Sequence, residues 1–223
     1  MTDIVPNRYN SVVKVIAVIA DIVDSRQIER RQEFQRRLQA CLGDLNETSS
    51  ALLSPYTITL GDEFQAVYKA GSRVVEDLLF ISRSLFPVSL RIALGIDDIA
   101  TDINTKEAIG MDGPAFHAAR DGLNNVKEEK ITIVQLYGRY EQRQRLLNSG
   151  LYYAYSVMSD WKEHTLSIFY GVFRNQPVKD IARIVGISER GVYKTIKTHN
   201  LVALARYFQA VSDEIAAMGE GGP

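Results

Sequence analysis

Residues 12–20, VVKVIAVIA, constrain this chain more than any other stretch. Valine and isoleucine dominate, and no polar face alternates with an apolar one. A strand of that composition is buried on both sides, so it belongs in the middle of a sheet. Residues 58–68, ITLGDEFQAVY, read as strand, tight turn at Gly61-Asp62-Glu63, and strand, with Pro55 starting the hairpin. Between these strands, Phe34, Leu38, Cys41 and Leu45 recur at helical spacing over 27–47, opposite an Arg-rich face. Val74, Leu78, Ile81 and Leu85 repeat that pattern over 71–85, and VSLRIALGI, 88–96, reads as a fourth strand. GMDGPAFHAARDGLNNVKEEK, 110–130, predicts a loop opening a helix, and ITIVQLY, 131–137, a fifth strand.

The first six elements spell βαββαβ, the ferredoxin-like arrangement. The expected class is α+β, with helices covering one face of a mostly antiparallel sheet. From 139 to 217 only helical patterns remain. The boundary falls near 138–150, where Arg, Gln and Glu replace the apolar strand pattern. Two domains are expected: a palm over 1–140, and a small all-α domain over 141–223 that ends in an amphipathic helix. GEGGP, 219–223, reads as a disordered end.

Hydrophobic residues at 46% and charged residues at 24% suit a soluble globular protein, and a net charge of −1 confines any nucleic-acid surface to a local patch. The single cysteine, Cys41, excludes an internal disulfide framework and a cysteine-based zinc site, and its helical setting predicts a buried thiol. The N-terminal apolar run is too short for a secretory signal, and no stretch reaches the ~18 apolar residues of a membrane span. A cytoplasmic protein with no membrane partner is expected.

The first strand runs out as Ala20-Asp21-Ile22-Val23-Asp24-Ser25-Arg26. In a ferredoxin-like sheet the hairpin tip folds beside that end, so Asp21 and Asp62 converge. Two carboxylates at one edge repel unless something compensates. Mg²⁺ (or Mn²⁺) shared with a nucleotide phosphate does so, because Mg²⁺ needs only one or two carboxylates beside phosphate oxygens. The local alternative is that Asp21 caps the following helix and Asp62 fills a turn. Strand alternation turns Glu63 to the face opposite Asp62. Arg91 is either a phosphate contact or, the favoured reading, a solvated face residue, and the pair Asp97-Asp98 reads as a solvated strand end.

ADIVDSR, TLGDEFQAVY, LRIALGIDDI and GPAFHAAR stand in the order of the motifs of class III nucleotidyl cyclases, which the segment 12–137 resembles. Together with the helical tail, nearly the whole chain resembles the SatD family. The cyclase resemblance implies metal-binding roles for Asp21 and Asp62. It implies triphosphate contacts from the segment holding Ile22, Asp24, Ser25 and Arg26 and from Gly61 of the hairpin. It implies that Arg120 stabilises charge developing on phosphate, a task suited to a bidentate guanidinium. His117, near Arg120, is a candidate acid-base or phosphate-contacting group. The purine-selecting lysine position falls on Ile58 and the ribose-orienting asparagine on Phe116, and neither side chain offers the required hydrogen bond. The metal-phosphate half of such a site is kept and the base-and-sugar half changed.

PVKDIARIVGISERGVYKTIKTH, 177–199, carries the spacing of a helix-turn-helix, placed at about 174–200. Ala182 is small at a close crossing, Gly186 allows a left-handed turn, Ser188 caps the second helix, and Ile187 and Val192 pack. Ser188, Glu189, Arg190, Lys194, Thr195 and Lys197 would meet double-stranded DNA in a locally basic window. Leu201, Leu204, Phe208, Val211 and Ile215 form a short heptad seam that either pairs two chains or covers the helix-turn-helix. The expected partners are a nucleotide, DNA and a second copy in a homodimer. The leading function is a nucleotide-responsive transcriptional regulator with a degenerate cyclase-like domain. The alternatives are an active cyclase or other metal-dependent nucleotidyl-transfer enzyme, and a structural interaction module.

Overall fold

The computed structural model describes residues 14–59, 61–72, 74–128 and 134–220. Positions 12, 13 and 131–133 of the expected strands, and the last three residues, lie outside these. The chain runs β1 (Lys14–Ile22), a 3-10 turn (Ser25–Gln27), α1 (Arg31–Thr48), β2 (Leu52–Ile58), β3 (Glu63–Lys69), α2 (Val74–Leu85), β4 (Leu90–Asp98), α3 (Pro114–Glu128) and β5 (Val134–Gly138). Helices follow: α4 (Glu141–Met158), α5 (Glu163–Phe173), α6 (Val178–Val185), α7 (Glu189–Thr198) and α8 (Leu201–Glu220). Among the described residues no helix is long and apolar enough to cross a membrane.

The strands form one open sheet in the order β2-β3-β1-β4-β5. β1, the β-branched run, lies in the centre, antiparallel to both β3 and β4. β2 closes one edge as an antiparallel hairpin with β3. Pro55 falls inside β2 rather than before it. An edge strand tolerates the missing N–H, and the β2–β3 register shifts on either side of Ser54. β5 extends the other edge parallel to β4. Parallel neighbours require a crossover, and α3 supplies it.

That crossover corrects one expectation. Helices cover both faces of the sheet. Ile16, Val18, Ala20 and Ile22 of β1 point into a large core with α1, α2 and residues of the helical region. Val15, Ala17 and Ile19 point the other way, into a thinner layer with Ala115, Phe116, Ala119 and Leu123 of α3. α3 can lie so close because β4 carries Gly95 beneath it. A Cβ there would stand 1.9 Å from the carbonyl oxygen of Ala115.

The helical region shares the larger core. Leu151, Phe169, Val192, Phe208 and Ile215 belong to the same hydrophobic cluster as Phe64 and Tyr68 of the sheet. Trp161 and Phe208 meet Phe169 edge-on, with ring centroids 5.4 and 5.5 Å away. The α8 seam is spent inside the chain: Leu201, Phe208, Val211 and Ile215 are all buried. Leu204, the remaining seam residue, is half-buried and lines an open groove with Tyr153 and Val157. α8 also continues through Gly219 and Glu220, where a disordered end was expected, and Gly219 packs on Ala70 and Gly71. Cys41 is buried as expected, and desolvation pushes its thiol up to about 11.

Candidate functional site

The β2–β3 hairpin tip meets the end of β1. The Ile22 N–H donates to the Asp62 carbonyl at 3.1 Å, and the Ser25 hydroxyl donates to Asp62 Oδ2 at 2.6 Å. The backbone of this corner is shaped locally. Asp24 adopts a left-handed conformation (φ 51°), and its carbonyl accepts from the Gln27 N–H. Gly61 takes φ +68°, and its carbonyl accepts from Gln35 Nε2 at 2.6 Å. The Ile22 side chain is buried in the core, so only its backbone faces this corner. Asp24 and Arg26 are exposed, and Ser25 is buried.

Asp21 ends the α3 side of β1. Its register partners are Glu63 on β3 and Arg91 on β4, so these three side chains stand side by side on one face. Glu63 therefore shares the face of Asp21. Strand alternation starts at Glu63, because Asp62 still belongs to the bend. Arg91 is half-buried beside Asp21, at 3.8 Å, where a solvated position was expected. Asp97 and Asp98 are likewise not solvated: Arg139 spans both carboxylates.

α3 brings two more cations. Arg120 grips Glu63 with both guanidinium nitrogens, at 2.6 and 2.8 Å. Hydrogen bonding to Glu63 holds the Arg120 pKa above its ordinary value, against the opposing pull of partial burial. Lys127, which no sequence motif singles out, lies 3.0 Å from Asp21 Oδ2. Asp21 and Glu63 are 8% and 6% exposed, whereas the Arg120 and Lys127 side chains are 42% and 38% exposed. The carboxylates thus form the floor and the cations the rim. The floor is not fully satisfied. Asp21 Oδ1 and Arg91 Nε are buried and make no hydrogen bond within the structure.

His117 is mostly exposed, and its Nε2 sits 2.8 Å from Asp112 Oδ1 in the loop before α3. Phe116 is buried against the sheet, as a phenyl ring requires. Among the described residues no group of three or more His, Cys, Asp or Glu gathers as a metal cage. Mg²⁺ is compatible with the residues present, because one or two carboxylates suffice when phosphate and water complete its shell.

In the helical region α6 ends at Gly186, whose φ of 74° makes the left-handed turn that a side chain would strain. Ser188 Oγ accepts from the Gly191 N–H at 3.2 Å and caps α7. Glu189, Arg190, Lys194 and Lys197 are exposed along α7. Thr195 is half-buried, and its hydroxyl donates to the Gly191 carbonyl. Ala182 and Val192 are buried between the helices, while Ile187 remains more than a third exposed and rests on Gly191.

These features define a mixed α+β protein: an open sheet, consistent with a palm-like domain, continued by a helical region. The chain belongs to the SatD family, whose model matches residues 15–212. Comparison with curated proteins and with solved structures gave no match.

Proposed function

We propose that this protein is a nucleotide-responsive, DNA-binding transcriptional regulator built on a ferredoxin-like, class III cyclase-type palm. The observation that carries the reading is the joined corner. Asp62 is tied to the end of β1 through the Ile22 N–H and the Ser25 hydroxyl, while Asp21, one residue before Ile22, faces α3 with Lys127 on its Oδ2 and Arg120 on the neighbouring Glu63. In this reading Asp21 and Asp62 offer oxygens to Mg²⁺ (or Mn²⁺), which neutralises phosphate charge when bound. The turn with the exposed Asp24 and Arg26 and the buried Ser25, the Ile22 backbone and Gly61 frame the phosphates. Arg120 pairs with them, and His117 lies at the outer edge. Ile58 and the buried Phe116 supply no polar contact to a base or ribose, which favours sensing over cyclisation. The capped α7 presents Arg190, Lys194 and Lys197 to a major groove, supported by Ser188, Glu189 and Thr195. A cytoplasmic homodimer would place two such helices on a two-fold DNA site. Four of the five α8 seam residues are buried internally, so pairing would draw on other surfaces as well.

Titration calorimetry with each nucleoside triphosphate and Mg²⁺ tests the sensor half. Binding is expected to fall at least tenfold in Asp62→Ala, and silence with every nucleotide would remove it. A gel shift on duplex DNA tests the other half. Arg190→Ala with Lys194→Ala should weaken binding and flatten its salt dependence. Equal, negligible shifts for both proteins would leave an interaction module instead. Cyclic product or released pyrophosphate that vanishes in Asp62→Ala would convert the reading to an enzyme.

A further inference from the structure

Three cations, Arg91, Arg120 and Lys127, meet two carboxylates, Asp21 and Glu63, on one sheet face. The arrangement raises a difficulty for any simple metal site. A free divalent cation approaching Asp21 meets Lys127 already seated on Oδ2 and Arg91 beside Oδ1. A free phosphate approaching Arg120 meets a guanidinium whose bidentate fork is filled by Glu63. Each class of ligand finds its own binding groups occupied by groups of its own charge sign.

We infer that this cluster is a charge-exchange lock, and that its ligand is a metal-chelated polyphosphate rather than either ion alone. When both arrive together, the phosphate oxygens take over Arg120 and Lys127, and the metal takes over the carboxylate oxygens thereby released. The exchange leaves both buried carboxylates and both rim cations with a partner of opposite charge. When one arrives alone, it must strip a partner from a buried carboxylate or from its cation and leave that group uncompensated, which is costly in a desolvated site. Three features support the exchange. The rim cations are solvent-accessible while the floor acids are not, so the cations can swing towards a ligand. The cations sit seven residues apart on one helix, so both respond to the same element. The resting network is also incomplete: Asp21 Oδ1 and Arg91 Nε are buried without a hydrogen-bond partner. The proposal rests on the nucleotide-binding reading and adds to it that metal and phosphate bind cooperatively, through Glu63 and Lys127 as the resting occupants.

The test uses the full chain, calorimetry, and inorganic pyrophosphate and magnesium as probes, separately and together. The unmodified protein should bind magnesium pyrophosphate, with each component strengthening the other by roughly fivefold or more. Glu63→Gln frees Arg120, so pyrophosphate alone should then bind about tenfold tighter than to the unmodified protein. Lys127→Gln frees Asp21, so magnesium alone should gain in the same way. Glu63→Gln keeps the side-chain shape, Lys127→Gln removes the charge with a modest loss of length, and a thermal melt confirms folding. Should one variant fail to fold, the other carries the test. Independent, non-cooperative binding of the two ions would overturn the lock and leave the nucleotide site standing. The lock is equally overturned if neither variant changes single-ion affinity. No binding of magnesium pyrophosphate to any of the three proteins would overturn both the lock and the reading beneath it.

Discussion

The two faces of β1 are built for different ends. Its even-numbered residues, from Ile16 to Ile22, enter a core that runs without a break into the helical region and is rich in large aromatics. Its odd-numbered residues, from Val15 to Ile19, enter a thin layer closed by one helix, and the last of the series is Asp21. One face finishes in isoleucine and the other in a carboxylate. The first face can bury apolar area on a scale that supports the fold. The second ends in a carboxylate beside the half-exposed Arg120 and Lys127. Apolar burial and clustered charge are thus separated by a strand period of two.

Substitutions on the two faces should part company in a graded way. The largest effect belongs to the thick face. Phe208→Ala removes a buried ring that touches Phe169, Tyr155 and Tyr207, and should cost about 3–5 kcal/mol in chemical denaturation. A loss below about 1 kcal/mol would mean that the helical region does not share the sheet's core. On the thin face, Arg120→Ala strands the buried Glu63 carboxylate. The expected loss is about 1–2 kcal/mol, below that of a fully buried pair because Arg120 is 42% exposed. A loss matching that of Phe208→Ala would erase the distinction between the faces.

The smallest effect is a pH dependence on the thick face. Asp77 accepts from Tyr68 and Ser49, and desolvation raises its pKa above the ordinary value. The folded state therefore holds the proton more tightly than the unfolded state. The stability this contributes is fully present below the ordinary carboxylate range and is lost as pH rises through the raised value. Melting curves of Asp77→Asn and the unmodified protein should show the asparagine variant gaining relative stability as pH rises from about 3.5 to 7. A difference that stays flat with pH would remove the desolvated acid from the thick face.

What the sequence disclosed follows the same division. The thick face is legible because its signals are local. β-branched density places β1 centrally, and helical spacing picks out Phe34, Leu38 and Leu45 as core residues. The thin face depends on pairings that no local pattern encodes. The parallel β4–β5 contact decides that α3 crosses on the other side, and nothing within α3 announces it. That Glu63 joins Asp21 on the α3 face follows from cross-strand register, which no local pattern encodes. Lys127 sits in a charged run, NNVKEEK, that reads as surface. A usable signal exists: Arg120 and Lys127 flank the apolar line Ala119, Leu123 and Val126 of α3, a spacing that aims both at the sheet. Gly186 and Ser188, by contrast, are readable because a positive φ and a helix cap are dictated by the residue itself.

α8 gives the molecule a mechanical property that neither face has alone. Its 20 residues make a rod about 30 Å long. At its beginning Leu201 is seated in the core beside α7, and at its far end Gly219 lies against the backbone of Gly71, in the corner between β3 and α2. A stiff strut fixed at both ends lets neither end shift unaccompanied. The corner at Gly71 and the helix bearing Arg190 and Lys194 are thus braced by the same element.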